Sequence, residues 1–106
     1  MTIKDMQDRA IGIARRYKSI NQPKGLKDWD ASAYMAGFVG DVGDLSKLVM
    51  AKAKLREFTG VDAKIAHELA DCLWSVLVLS HELGIDIEDA FANAMAELDR
   101  RLDHTS

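Results

Sequence analysis

The sequence predicts an all-α fold, a four-helix bundle-like protomer that oligomerises through its helices. Apolar residues recur at alternating spacings of three and four along the chain, which marks the face of an amphipathic helix. Glycine, proline and aspartate punctuate the periodic stretches where helices should stop and start. A third observation concerns the stretch from Cys72 to Leu79, which is apolar nearly all round. Such a helix needs burial on more than one side. So small a protomer does not supply that alone, and a dimer or higher oligomer is expected.

The first helix places Ile3, Met6, Ala10, Ile13, Tyr17 and Ile20 on one face and ends near NQPKG, at Pro23 and Gly25. DWD at 28–30 supplies N-cap candidates for a second helix running to about Phe58, because an aspartate can accept from the unpaired N–H groups of a first turn. Its stripe is Tyr34, Phe38, Asp41, Leu45, Leu48 and Lys52, widened by Met35, Val42 and Val49. Gly60 ends that region, and Asp62 is a capping candidate for a third helix reaching Leu83. In GIDIED, Gly84 suits a helix C-terminus, and Asp86 with Asp89 has the spacing of a capping box. The last helix carries Ile87, Phe91, Met95 and Leu98. Short connections favour antiparallel neighbours.

With 106 residues the chain is expected to form a single domain, residues 1–106, with one core. Apolar residues at 48% and charged residues at 29% give a globular balance and argue against disorder. No apolar run approaches the roughly 18–20 residues of a membrane span, so no membrane partner is expected. The N-terminus lacks a signal-peptide core, and the lone Cys72 suits a reducing compartment, so the expected location is the cytoplasm. A net charge of −3 gives no general reason to bind a nucleic-acid polymer. Basic residues cluster mildly at Lys47, Lys52, Lys54 and Arg56, and again at Arg100 and Arg101. They are either solvated helix faces or a rim for a multiply charged anion.

The chemistry-bearing residues are carboxylates. Asp41 and Asp44 lie three apart on the second predicted helix, and Glu68 and Asp71 three apart on the third. That spacing projects each pair from one face. All four adjoin apolar stripe positions, where an unpaired buried charge is costly. Basic partners or divalent cations would relieve them, and carboxylate oxygens alone select the hard ions Mg²⁺ or Mn²⁺. Two blander readings stay open: the pairs are solvated, or Lys47 neutralises Asp44 or Asp41 in a structural ion pair. His67-Glu68 begins like HExxH, but position 71 is aspartate, so a paired-histidine zinc site is absent. No Glu-x-x-His pair of the di-iron type occurs. Cys72 reads as a small core residue. Trp74 reads as core or subunit interface.

DVGDL at 41–45, ELAD at 68–71 and LGIDIEDAF at 83–91 resemble the MazG-like nucleotide pyrophosphohydrolases of the all-α NTP pyrophosphatase superfamily. The family pattern is EExxE, a spacer, then ExxD, and 23 residues separate Asp44 from Glu68. The resemblance spans roughly residues 29 to 101. It implies Mg²⁺-dependent hydrolysis of a nucleoside triphosphate to the monophosphate and pyrophosphate, house-cleaning of noncanonical nucleotides being one such role. It also implies metal-binding and catalytic roles for Asp41, Asp44, Glu68 and Asp71, and a homodimer or a tetramer built from dimers.

The chain departs from the pattern. Gly40 stands where the first glutamate of EExxE belongs, and the other two acids of that motif are aspartates. Of a C-terminal K-x-x-x-N-x-x-R pattern that contacts phosphates, the matching places are Ala94, Leu98 and Arg101, and only the arginine survives. Phosphate binding then falls to Lys47, Lys52 or Arg101, or to a partner subunit. Trp29 either stacks on a base or staples the start of its own helix. A catalytically weak or inactive nucleotide- or metal-binding module is the alternative function, and a purely structural helical dimer stands behind it.

Overall fold

The computed structural model describes residues 1–53 and 60–104. Among them the chain forms four α-helices and no strand: α1 (Ile3–Asn21), a 3-10 turn at Gln22–Lys24, α2 (Ala31–Lys52), α3 (Val61–Glu82) and α4 (Ile87–Asp103). The expected all-helical class is observed. Helix α2 ends at Lys52; its anticipated extension to Phe58, with Lys54 and Arg56 of the basic cluster, falls outside the described residues.

Local chemistry explains the boundaries. Thr2 Oγ1 accepts from the Asp5 N–H at 3.1 Å while the Asp5 carboxylate accepts from the Thr2 N–H at 3.0 Å, a reciprocal capping box on α1. These bonds to Thr2 hold the Asp5 carboxyl below its ordinary range. Asp30 caps α2 by accepting from Ala33 N–H at 2.9 Å, and Asp86 caps α4 by accepting from Asp89 N–H at 3.1 Å. Helix α3 starts differently from the sequence expectation. Gly60, at φ 67°, occupies the N-cap, and Asp62 lies inside the first turn, where it pairs with Lys52 instead of capping. A carboxylate there still faces the positive end of the helix dipole. At the other end, Gly84 (φ 69°) closes α3 in a Schellman motif, with Gly84 N–H on His81 O at 3.0 Å and Ile85 N–H on Ser80 O at 2.9 Å.

Helix α3 is the central element. Helix α2 runs antiparallel to it, with Lys52 against Asp62 at one end and the Tyr34 and Trp74 rings 5.9 Å apart at the other. Helix α1 also packs on α3, and the Gln7 amide donates to Ser80 Oγ at 2.9 Å and Leu77 O at 3.3 Å. The core there is Ala10, Leu77 and Val78, enclosed by Ile3, Met6, Ala14, Tyr34, Trp74 and Ile87. Helix α4 meets only α1 and α3, and from Asp89 onward its described residues are exposed.

The four helices therefore do not close into a bundle within one chain. The radius of gyration is 17.1 Å, against about 13 Å for a compact domain of this length. Met35, Val39, Val42 and Val49 of α2, and Phe91, Met95, Leu98 and Leu102 of α4, are left exposed at helical spacing. No helix of the described residues is long and apolar enough to cross a membrane.

Candidate metal centre

The antiparallel pairing of α2 and α3 brings two sequence-distant motifs together. Asp41 and Asp44 occupy successive turns of one α2 face, and Glu68 projects from α3 opposite them. One carboxylate oxygen from each lies within 4.8 Å of the other two. Leu48 and Ala51, buried farther along α2, fix that helix against its neighbour, while the carboxylates line the more open part of the groove. Neither Gly40 nor Gly43 is required sterically, since a Cβ at either position would meet nothing within 4 Å.

The charge distribution is unfavourable without a cation. Burial pushes the Glu68 carboxyl up, and Asp71, Asp41 and Asp44 add to that effect, with His67 acting against it. Glu68 Oε2 is buried and has no hydrogen-bond partner. A buried carboxylate oxygen without a donor is costly, and either a proton or a cation beside it would relieve that cost. Burial, followed by Asp41, Glu68 and Asp71, also pushes the Cys72 thiol up. A protonated thiol is a poor metal ligand, which leaves oxygen donors. Three converging carboxylates suit a hard divalent ion such as Mg²⁺ or Mn²⁺. The residues fit the group that the motif implies.

Asp71 behaves differently from its three companions. It pairs with His67 Nε2 at 3.2 Å, one turn back along α3, and is not among the three converging oxygens. Lys47 lines a cavity of about 420 Å³ beside the carboxylates, with Asp44, Leu48, Lys64, His67 and Glu68. Lys52 lies beyond that cavity, in its ion pair with Asp62. Arg101 hydrogen-bonds Glu97 on α4, a helix that makes no packing contact with α2.

Trp29 lies across the start of α2. A Cβ on Gly37 would stand 3.1 Å from Trp29 Cζ3, so glycine is what admits the ring at this point. The ring tilts against Tyr34 at 5.5 Å between centroids and remains 53% exposed. It thus packs on the first turns of α2 and keeps an exposed face. Gly37 and Asp41 are four apart, so they share a face of α2 one turn apart.

Lys64 and His67 were not picked out by sequence reasoning as site residues. A signal existed for Lys64, because it precedes Glu68 by four residues and must share its face. His67 likewise precedes Asp71 by four residues, while its place beside the cavity depends on α2 lying opposite.

A family model described as MazG nucleotide pyrophosphohydrolase domain matches residues 31–106. No curated protein and no solved structure gives a significant match.

Proposed function

The chain belongs to the MazG nucleotide pyrophosphohydrolase family, and from that premise we propose that it is a Mg²⁺-dependent nucleoside triphosphate pyrophosphohydrolase. The observation that carries this reading is the convergence of Asp41, Asp44 and Glu68, with a buried Glu68 oxygen lacking any donor. Asp41, Asp44 and Glu68 would hold the cation, and Asp71 would join them by releasing His67. When bound, the cation neutralises phosphate charge and lowers the pKa of water at the site.

The chain's own residues supply the rest. A carboxylate of the cluster takes the proton that the attacking water gives up. Water oxygen bonds to the α-phosphorus, the α–β bridging P–O bond breaks, and the products are the nucleoside monophosphate and pyrophosphate. Trp29, whose ring lies over Gly37 one turn before Asp41, offers its exposed face to the base. Lys47 meets phosphate charge. Lys52 would have to leave Asp62 to do the same.

The apolar stripes of α2 and α4 support a homodimer or a dimer-of-dimers tetramer. Arg101 lies on α4, which packs on α1 and α3 and not on α2, and its assignment to phosphate is to the groove of a second copy. Removal of noncanonical nucleotides in the cytoplasm is the proposed role. Gly40, in place of an acid, favours a second reading: a module that binds metal and nucleotide without turnover. Assay of monophosphate and pyrophosphate release across canonical and modified nucleotides, with Mg²⁺ or Mn²⁺, separates the two. Tight binding without release would replace the first reading by the second.

A further inference from the structure

Resting on the pyrophosphohydrolase reading, the geometry points to a leaving-group pocket for the diphosphate, built by Lys47, Lys64 and His67 on the side of the carboxylates away from Trp29. The antiparallel helices set up a ladder along one groove. On α2 the order is Gly37 beneath the Trp29 ring, then Asp41, Asp44 and Lys47. On α3, running the other way, Glu68 stands opposite the aspartates and Lys64 one turn closer to the α2–α3 connection. One turn is about 5.4 Å along the axis, longer than the separation of adjacent phosphorus atoms, so the turn from Glu68 to Lys64 has room for the β- and γ-phosphates together.

The cavity of about 420 Å³ is where the charge changes sign. Asp44 and Glu68 form its acidic wall, Lys47, Lys64 and His67 its basic wall, and buried Leu48 contributes apolar surface beside them. A nucleoside monophosphate extending from Trp29 would end at the carboxylates, leaving the basic wall to the β- and γ-phosphates. Lys47 and Lys64 are point charges on flexible stems, suited to a dianionic or trianionic group whose position changes as it departs. The polarity also fixes the direction of the substrate, with base toward the start of α2 and phosphate toward its end. In this chain α2 and α3 thus provide phosphate contacts within one protomer, where α4 carries Ala94 and Leu98.

The test is calorimetric titration of the full chain with pyrophosphate in the presence of Mg²⁺, and separately with nucleoside monophosphate. Lys64→Ala and Lys47→Ala should each weaken pyrophosphate binding about ten-fold, the usual effect of losing a charge-assisted contact. Monophosphate affinity should stay unchanged in both. Lys64→Arg should retain pyrophosphate binding, and Lys27→Ala, outside the cavity, should match wild type. Unaltered far-UV circular dichroism in the alanine variants excludes misfolding, and the arginine variant keeps the test valid if Lys64→Ala does not fold. The pocket is refuted if wild type does not bind pyrophosphate, or if both alanine variants bind it as wild type does. Loss of pyrophosphate binding in the variants, in a chain that hydrolyses no nucleotide, would leave the pocket standing and remove the enzyme. Hydrolysis by wild type with unchanged pyrophosphate affinity in the variants would do the reverse.

Discussion

Gly40 offers the sharpest quantitative test of the electrostatics of the groove. It lies in the interior of α2, is exposed, and a Cβ there meets nothing within 4 Å. Replacing an interior helical glycine by alanine stabilises by about 0.8–1.0 kcal/mol. Gly40→Ala should therefore raise the melting temperature by roughly 3–8 °C, at about 4–8 °C per kcal/mol for a domain of this size. Gly40→Glu gains nearly the same helix propensity but sets a carboxylate four residues before Asp44. One like-charge pair at that spacing costs about 0.2–0.5 kcal/mol, and the propensity gain wins. The glutamate variant should melt above wild type and below the alanine variant when no divalent ion is present. Saturating Mg²⁺ should close or invert the gap, because the added acid then faces a cation. Differential scanning calorimetry with and without Mg²⁺ reads all three chains. A Gly40→Glu gap to Gly40→Ala that ignores Mg²⁺ would refute a cation at this cluster. Destabilisation by both variants would show that the glycine face of α2 is covered.

Three further outcomes follow from the packing and the charges. Trp74→Ala removes the ring that joins Tyr17 and Tyr34, and it should cost about 3 kcal/mol, the low end for Trp→Ala because the buried Nε1–H has no hydrogen bond to lose; urea unfolding measures this. Asp30→Ala deletes the α2 cap and should cost about 1 kcal/mol by thermal unfolding. The Glu68 carboxyl is raised above its ordinary 4.5 in the folded chain, so its ionised form is disfavoured by folding. Without metal, wild type should lose stability as pH rises from 4.5 through the raised value, and the contribution should be fully present below 4.5. Glu68→Gln should flatten that part of a urea-midpoint profile, and a wild-type profile already flat there would contradict the assignment.

Much of the fold was legible because its signals are local. Asp30 and Asp86 cap the helices they were expected to cap, and Gly84 ends α3 where a left-handed residue was needed. Asp62 misled because aspartate is favoured both at the N-cap and in the first turn, and the left-handed Gly60 took the cap. Periodicity identified the apolar face of α4 but not whether the same chain would cover it; Phe91, Met95 and Leu98 are exposed. Within the site, three-residue spacing placed Asp41 beside Asp44, while their meeting with Glu68 depends on the register of two antiparallel helices. The same register creates the cavity that includes Lys64. Asp71 pairs with His67 for a reason that spacing alone does not rank, since an i,i+4 histidine competes with the cluster for the same carboxylate.

The most direct measurement is product analysis of nucleoside triphosphate incubated with the chain and Mg²⁺, for wild type, Asp41→Asn and Glu68→Gln. The account predicts monophosphate and pyrophosphate in equal amounts from wild type, dependence on the divalent ion, and loss of both products in the variants with the helical signal intact. Inorganic phosphate and diphosphate nucleoside as products, or undiminished turnover in both variants, would contradict it.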